Sequence, residues 1–186
     1  MTIMVMLASF PPDVRIVGTN VSLRPWELHD LPRMPALFDD PEVARWTALP
    51  SPFDLNAARA RIARSHRLAA GGVGLQLAVT LPGEERVPRG EIGLMRDPDE
   101  PGTAELGYAI GPAHRGMGLA SGALVLCAEL ARRELGFERV ILRIDPENGP
   151  SLGVARSAGF VPADVPLFHR PMKGRIHALV TWILPG

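Results

Sequence analysis

TAELGYAIGPAHRGMGLASGALVLCAELARRELGFERVILRIDPENGPSLGVARSAGF, residues 103–160, is the stretch whose reading decides the fold. Glu105 to Ile110 alternates in the manner of a strand, and Gly111-Pro112 closes it because that pair cannot continue a ladder. Arg115-Gly116-Met117-Gly118-Leu119-Ala120 follows as a Gly-rich turn. Leu124, Cys127, Ala128, Ala131 and Leu135 then recur at three- and four-residue steps, with Gly136 just past them, so a helix is expected whose N-terminus points back at the strand end. A second strand over Arg139 to Ile144 and a short helix led by Asn148 complete a βαβ-like unit.

Small residues at Gly116, Gly118, Ala120 and Gly122 let a ligand approach the backbone, and the unpaired amides of the first helical turn attract an anion. A pyrophosphate suits that demand; packing of a helix tightly against a sheet would call for the same glycines. Gly116-x-Gly118-x-x-Ser121-Gly122 has the wrong spacing for a dinucleotide fingerprint, although Asp145 sits near the end of the next strand, and an NAD-dependent dehydrogenase is a remote alternative. A nucleotide P-loop is excluded because no Gly-Lys-Ser or Gly-Lys-Thr follows the glycines.

Arg115-x-x-Gly118-x-Ala120 fits the R/Q-x-x-G-x-G/A acyl-CoA signature of the GNAT N-acetyltransferases. Asn148-x-x-Ser151-x-x-Val154-Ala155, ending in Ala158-Gly159-Phe160, is similar to that superfamily's second cofactor segment. Val21-Ser22-Leu23-Arg24-Pro25-Trp26, Asp40-Pro41-Glu42-Val43-Ala44 and Glu105-Leu106-Gly107-Tyr108 resemble the ribosomal-protein N-terminal acetyltransferase branch, RimJ/RimL. The resemblance covers residues 14–184 as one domain, with 1–13 as an N-terminal arm. It implies an α/β fold with a mixed central sheet of about seven strands flanked by helices, splayed at the acyl-CoA site. It also implies an N-acyltransferase that carries an acetyl group from acetyl-CoA to a protein N-terminus or a small-molecule amine, by direct attack through a tetrahedral intermediate.

By the same resemblance, pantetheine pairs with backbone near Tyr108, Ala109 and Ile110, with an amide near Ile110 facing the oxyanion, and the pyrophosphate sits on residues 115–120: Arg115, Gly116, Met117, Gly118, Leu119 and Ala120. Asn148 offers an amide to pantetheine. Many relatives carry a Tyr seven residues after the Asn to protonate the thiolate, whereas this chain has Ala155; the RimJ/RimL-like pattern offers Ser151 in its place, a residue that could equally cap the helix. Candidate bases are Glu105 on the motif strand, Glu91 on the strand before it, and His169 in Leu167-Phe168-His169-Arg170, which could fold over the acceptor end of the cleft. The absent Tyr keeps a non-catalytic acyl-CoA sensor as an alternative. Arg24, Arg45 and Arg115 leave room for another acyl group such as succinyl.

Working outward, 186 residues, 46% apolar content and a balance of 20 basic against 20 acidic residues suit one domain with a sizeable core and give no broad field for nucleic acid or membrane. The apolar start Met1 to Phe10 lacks basic residues and is ended by Pro11-Pro12 well short of a membrane span. A lone Cys127, on the apolar helix face, reads as packing and points to a cytoplasmic protein. The histidines at 29, 66, 114 and 177 show no paired ligand spacing, so no metal is expected and they read as solvated or structural. The remaining elements are a strand near Val14 to Leu23, helical pieces over Trp26 to Trp46, and a helix from Leu55 to Ala70 capped by Asp54. Strands follow over Leu75 to Leu81 and Glu91 to Met95. A late strand over His177 to Leu184 should pair antiparallel at the sheet edge, where, with the family, it suggests a homodimer.

Overall fold

The structure is a computed structural model and describes residues 10, 11 and 13–186. Most of the expected arm, residues 1–9 and 12, lies outside the described residues. Phe10 is buried in the main core, where its ring meets Phe137 at 6.2 Å between centroids.

The chain opens with β1 (Ile16–Val17) and β2 (Ser22–Pro25), two short antiparallel strands where one longer strand was expected. Helical pieces follow as a 3-10 turn (Leu28–Arg33), α1 (Met34–Phe38) and α2 (Pro41–Trp46), and then α3 (Leu55–Ala70). Asp54 caps α3 by accepting a hydrogen bond from Ala57 N at 2.8 Å, which satisfies one of the donors a helix start leaves open. Next come β3 (Gly74–Thr80), β4 (Gly90–Arg96), β5 (Thr103–Ile110), α4 (Leu119–Glu129) with a π-helical turn at Leu130–Glu134, and β6 (Arg139–Ile144). The chain finishes with α5 (Gly149–Ser157), β7 (Val161–Pro162), β8 (Phe168–Met172) and β9 (Arg175–Ile183).

Among the described residues nine strands form one mixed sheet in the order β1-β2-β3-β4-β5-β6-β9-β7, with β8 paired to β9. Two of the strands beyond the expected seven are two-residue edge pieces, too short to leave a sequence signal. The placement of the last strand needs correcting: β9 is not an edge but lies between β6 and the β7–β8 arm, antiparallel to both sides.

Strand alternation assigns each face of the sheet its own core. On one face Leu75, Leu77, Ile92, Leu94, Ala104 and Leu106 pack against Leu124 and Cys127 of α4 and Ala155 of α5. On the other, Ala78 lies in a cluster with Met34, Phe38 and Ile62 of the early helices and with Trp26 and Phe53 from the segments that lead into them, and Phe38 is stacked edge-on by both Trp26 and Phe53. Between these layers the parallel pairing of β5 with β6 runs from Thr103↔Arg139 to Glu105↔Ile141 and stops. Leu106 to Ile110 therefore lie on the sheet without a partner on the β6 side, and the two strands diverge.

Candidate active site

The divergence opens a cleft of about 570 Å³ that passes through the sheet. Tyr108, Ala109 and Ile110 form its β5 wall; the turn and first residues of α4 form one end; Asn148, Ser151 and Val154 of α5 form the other side. From the opposite face α2 contributes Glu42, Val43, Trp46 and Thr47.

Backbone conformation builds the anion end. Gly116 and Gly118 have φ of 76° and 72°, left-handed values that disfavour side chains, and Gly118 is the N-cap of α4. A Cβ at Gly116 would meet nothing within 4 Å, and one at Gly118 would approach only Ser121 Oγ, at 4.0 Å, so the turn presents bare backbone. The positive end of α4 and this cradle fit a pyrophosphate, and the unpaired edge of β5 fits the amides of pantetheine. Arg115 adds a cation at the same end, bonded to Asp40 at 2.6 Å and to Ile110 O at 3.3 Å. Asp40 in turn caps α2 through Glu42 N and Val43 N, both at 3.1 Å, and the Arg115 hydrogen bond holds its carboxyl below the usual range. The glycine turn is thereby tied to the helix that walls the other face.

At the α5 side the cap is Asn148, whose Oδ1 accepts from Ser151 N at 3.1 Å. Ser151 is thus not the capping residue, and it lines the cleft half-buried. The Tyr108 hydroxyl donates to Ser151 O at 3.2 Å, and burial raises its pKa, which keeps the phenol protonated. Ala155, at the position of the relatives' Tyr, is fully buried in the core.

Of the residues singled out in the sequence, Tyr108, Ala109, Ile110, Arg115, Gly116, Gly118, Leu119, Ala120, Asn148 and Ser151 come together in this lining. Met117 does not, its side chain being half exposed at the turn. Glu105 lies below the cleft in an ion cluster: Arg143 Nη1 reaches it at 2.6 Å, Arg170 Nη2 at 2.7 and 2.8 Å, and Arg143 also holds Asp97 at 2.7 Å. Arg143 stacks on Phe168, 3.7 Å from the ring centre. Glu91 is buried and receives Trp26 Nε1 at 2.9 Å together with both donors of Arg61. His169 alternates to the exposed side of β8, away from Phe168 and Arg170. Arg24 is spent on a buried pair with Asp30, two bonds at 2.7 Å. Among the described residues no three His, Cys, Asp or Glu side chains gather so as to hold a metal ion, and no helix is long and apolar enough to cross a membrane.

What sequence reasoning missed is the part played by α2. Its signal was present in Asp40-Pro41, a capping residue followed by Pro at the first helical position, but nothing local says that this helix closes over a gap between strands far along the chain.

Comparison with known proteins agrees with this geometry. Residues 20–161 match the family described as Acetyltransferase (GNAT) domain. The chain is 28% identical over 157 residues to the uncharacterized N-acetyltransferase p20 of Bacillus licheniformis, covering 84% of this chain and 88% of that one. Mycobacterium smegmatis RimJ, solved with CoA-disulfide, superposes with a TM-score of 0.73 at 22% identity over 88% of this chain and 81% of its own. A spermidine N-acetyltransferase of Vibrio cholerae, solved with CoA and spermine, gives 0.69 at 16% identity, covering 90% of this chain and 97% of that one.

Proposed function

The chain belongs to the GNAT acetyltransferase family, and from that premise we propose that it moves the acetyl group of acetyl-CoA onto a primary amine, a protein N-terminus or a small molecule, by direct attack without a covalent enzyme intermediate. The observation that carries this reading is the stop in β5–β6 pairing at Glu105, on the strand that leads into a left-handed glycine cradle at a helix start. When bound, acetyl-CoA supplies an activated acyl thioester; everything else is the work of the chain. The backbone of Gly116 to Ala120 and the end of α4 hold the phosphates. Unpaired N–H and C=O groups of Tyr108 to Ile110 hold pantetheine and leave an amide for the oxyanion, a donor fixed before reaction begins. Asn148, with its oxygen engaged in the cap, turns its NH₂ toward the cofactor. The Ser151 hydroxyl hydrogen-bonds the departing sulfur and relays to it a proton that the attacking nitrogen gives up, directly or through water, so that Ser151 stays neutral, and Tyr108 fixes the turn that carries it. The amine arrives from the sheet face opposite α4 and α5, along the wall that α2 forms.

This is tested by incubating the protein with acetyl-CoA and a panel of amines, N-terminal peptides and polyamines included, and reading acetylated product by mass together with CoA release. Acetyl transfer to one class, and about tenfold or greater loss of kcat in Ser151→Ala with acetyl-CoA affinity retained, is expected. Tight acetyl-CoA binding without transfer to any amine would instead support the sensor reading. Faster transfer from succinyl-CoA, supplied as the donor in a parallel incubation, would move the donor assignment and leave the fold of the site intact.

A further inference from the structure

Any amine acetylated at neutral pH reaches the site largely as an ammonium ion and must lose a proton before its nitrogen can attack. The acidic side chains on the motif strands are engaged elsewhere: Glu105 by three hydrogen bonds from two guanidiniums, and Glu91 by Trp26 and Arg61 in the second core. His169 points away. Register identifies what does share the acceptor face. Residues directly opposite one another in a sheet project to the same side. From Glu105, the pairs Glu105↔Ile141 and Arg143↔Thr181 place Gly107, Arg143 and Asp145 on that face. From Thr181, alternation and the pair Arg170↔His177 bring Leu179, His177, Phe168 and Arg170 onto it. The Arg170–Glu105 bonds and the stacking of Arg143 on Phe168 agree with that assignment. Gly107 is exposed here, and a Cβ added to it would meet nothing within 4 Å, so the floor beside these residues is bare backbone.

Resting on the acetyltransferase reading, we propose that His177, oriented by Asp145, is the group that takes the proton from the acceptor amine. Asp145 follows β6 directly, where the gap between β5 and β6 ends, and its carboxylate is fixed from both sides. Oδ1 accepts from Glu147 N at 2.9 Å, and Oδ2 stands 3.4 Å from His177 Nδ1. Its carbonyl accepts from Asn148 N at 2.9 Å, so the turn that sets the cofactor-side Asn also sets the dyad. Directing Nδ1–H at a carboxylate leaves the lone pair of Nε2 free, the arrangement a histidine base needs. Both side chains are about one-fifth exposed, enough to meet a ligand.

Of the other charges on the neighbouring elements, those of Arg170, Arg45 and Lys173 are already committed. Arg170, directly across on β8, is bonded to Glu105, which also takes Arg143 from β6. Arg45 of α2 pairs with Glu147 at 3.3 Å, and Lys173 of the β8–β9 turn donates to Ala44 O at 2.6 Å. Arg175, two residues back on β9, is exposed. In the transfer one proton leaves the ammonium nitrogen for Nε2 and passes from the imidazolium to solvent; the nitrogen bonds to the acyl carbon with the electron pair it keeps, the C–S bond breaks with its pair going to sulfur, and the second proton that the nitrogen loses goes to that sulfur by way of Ser151 or water.

Two readouts decide this. In long-range proton–nitrogen NMR of the protein with no acceptor added, His177 is expected as the neutral Nδ1–H tautomer, and Asp145→Asn should disturb that preference. With an accepted amine, His177→Gln should lower kcat about a hundredfold and remove the acidic limb of its pH profile. Acetyl-CoA affinity by calorimetry should be unchanged, and imidazole should partly restore His177→Ala. Asp145→Asn should lower kcat less and displace the same limb, which keeps the test open if His177→Gln folds poorly. An Nε2–H tautomer, or a folded His177→Gln with wild-type turnover and profile while Glu105→Gln loses activity, overturns the assignment. If the wild type acetylates no amine, the transferase reading fails by itself and the tautomer spectrum still decides the dyad.

Discussion

At the scale of single residues, what matters most is what a position lacks. Gly118 caps α4 at φ 72° with no Cβ to intrude on the cradle, so Gly118→Glu places a bulky anion where the phosphates and the positive helix end should meet. Acetyl-CoA affinity measured by calorimetry should fall at least tenfold, about 1.4 kcal/mol. Gly118→Ala separates the causes: it carries the left-handed backbone strain, about 1–2 kcal/mol of stability, with little change in charge, and its affinity should fall much less than that of the glutamate variant. Cys127 shows the opposite case. It is fully buried in the main core, and desolvation pushes its thiol up to about 12, so the thiolate that reacts is absent at neutral pH. A colorimetric disulfide reagent should leave native protein unlabelled and titrate one thiol in denaturant; fast labelling of folded protein would contradict that burial. Both residues were legible from the sequence because their signals are local, a glycine spacing before a helix and a cysteine on an apolar stripe. The setting of Glu105 was not, because its partners Arg143 and Arg170 stand 38 and 65 residues along the chain and only strand register brings them together.

Among the elements, α3 and α2 show how far local signals reach. Both ends of α3 could be read, since Asp54 caps its start and Gly71-Gly72 ends it. α2 is six residues long, too short to stand without tertiary support, and it is fixed by Asp40 at its start, by Arg45 to Glu147 and by Lys173 to Ala44 O. Asp40 serves both the α2 cap and Arg115, which makes it the joint between the glycine turn and the α2 wall of the cleft. Its carboxyl is depressed by Arg115. A carboxylate whose folded pKa lies below its unfolded value contributes stability that is fully present above the unfolded pKa, about 3.9, and lost as pH falls through the folded one. Asp40→Asn should therefore lower the melting temperature at pH 7 and leave a smaller difference from wild type near pH 3. Because the cap is weakened as well, Asp40→Ala should cost about 1 kcal/mol and raise the KM for the acceptor and for acetyl-CoA together. If only one KM moves, α2 and the phosphate turn are independent. The late strands were harder to read for a related reason: β7 is Val-Pro, β8 carries Pro171, and neither shows the apolar alternation that would have moved β9 from the edge to the interior.

In the whole molecule, two cores lie on opposite faces of one sheet, and the cleft is the place where the faces communicate. The cleft takes residues from α4, α5 and β5 and is walled from the other side by α2, so occupancy by the proposed cofactor should brace both layers at once. Below the gap, the Asp97–Arg143–Glu105–Arg170 cluster ties β4, β5, β6 and the β8–β9 hairpin where the strands begin to part. A ligand that binds only the folded state adds RT ln(1 + [L]/Kd), about 2.7 kcal/mol at one hundred times Kd, and in a chain of this size each kcal/mol moves the midpoint by about 2–4 °C. Acetyl-CoA at that concentration should raise the melting temperature by roughly 5–10 °C. NADH should leave it unchanged, because the glycine spacing before α4 lacks the dinucleotide pattern. CoA without the acetyl group should give nearly the same rise, since the phosphates and pantetheine supply the contacts with the cradle and the open edge of β5. Equal shifts from NADH and acetyl-CoA would mean that the helix end recognises a pyrophosphate alone and that the gap between β5 and β6 contributes nothing to binding.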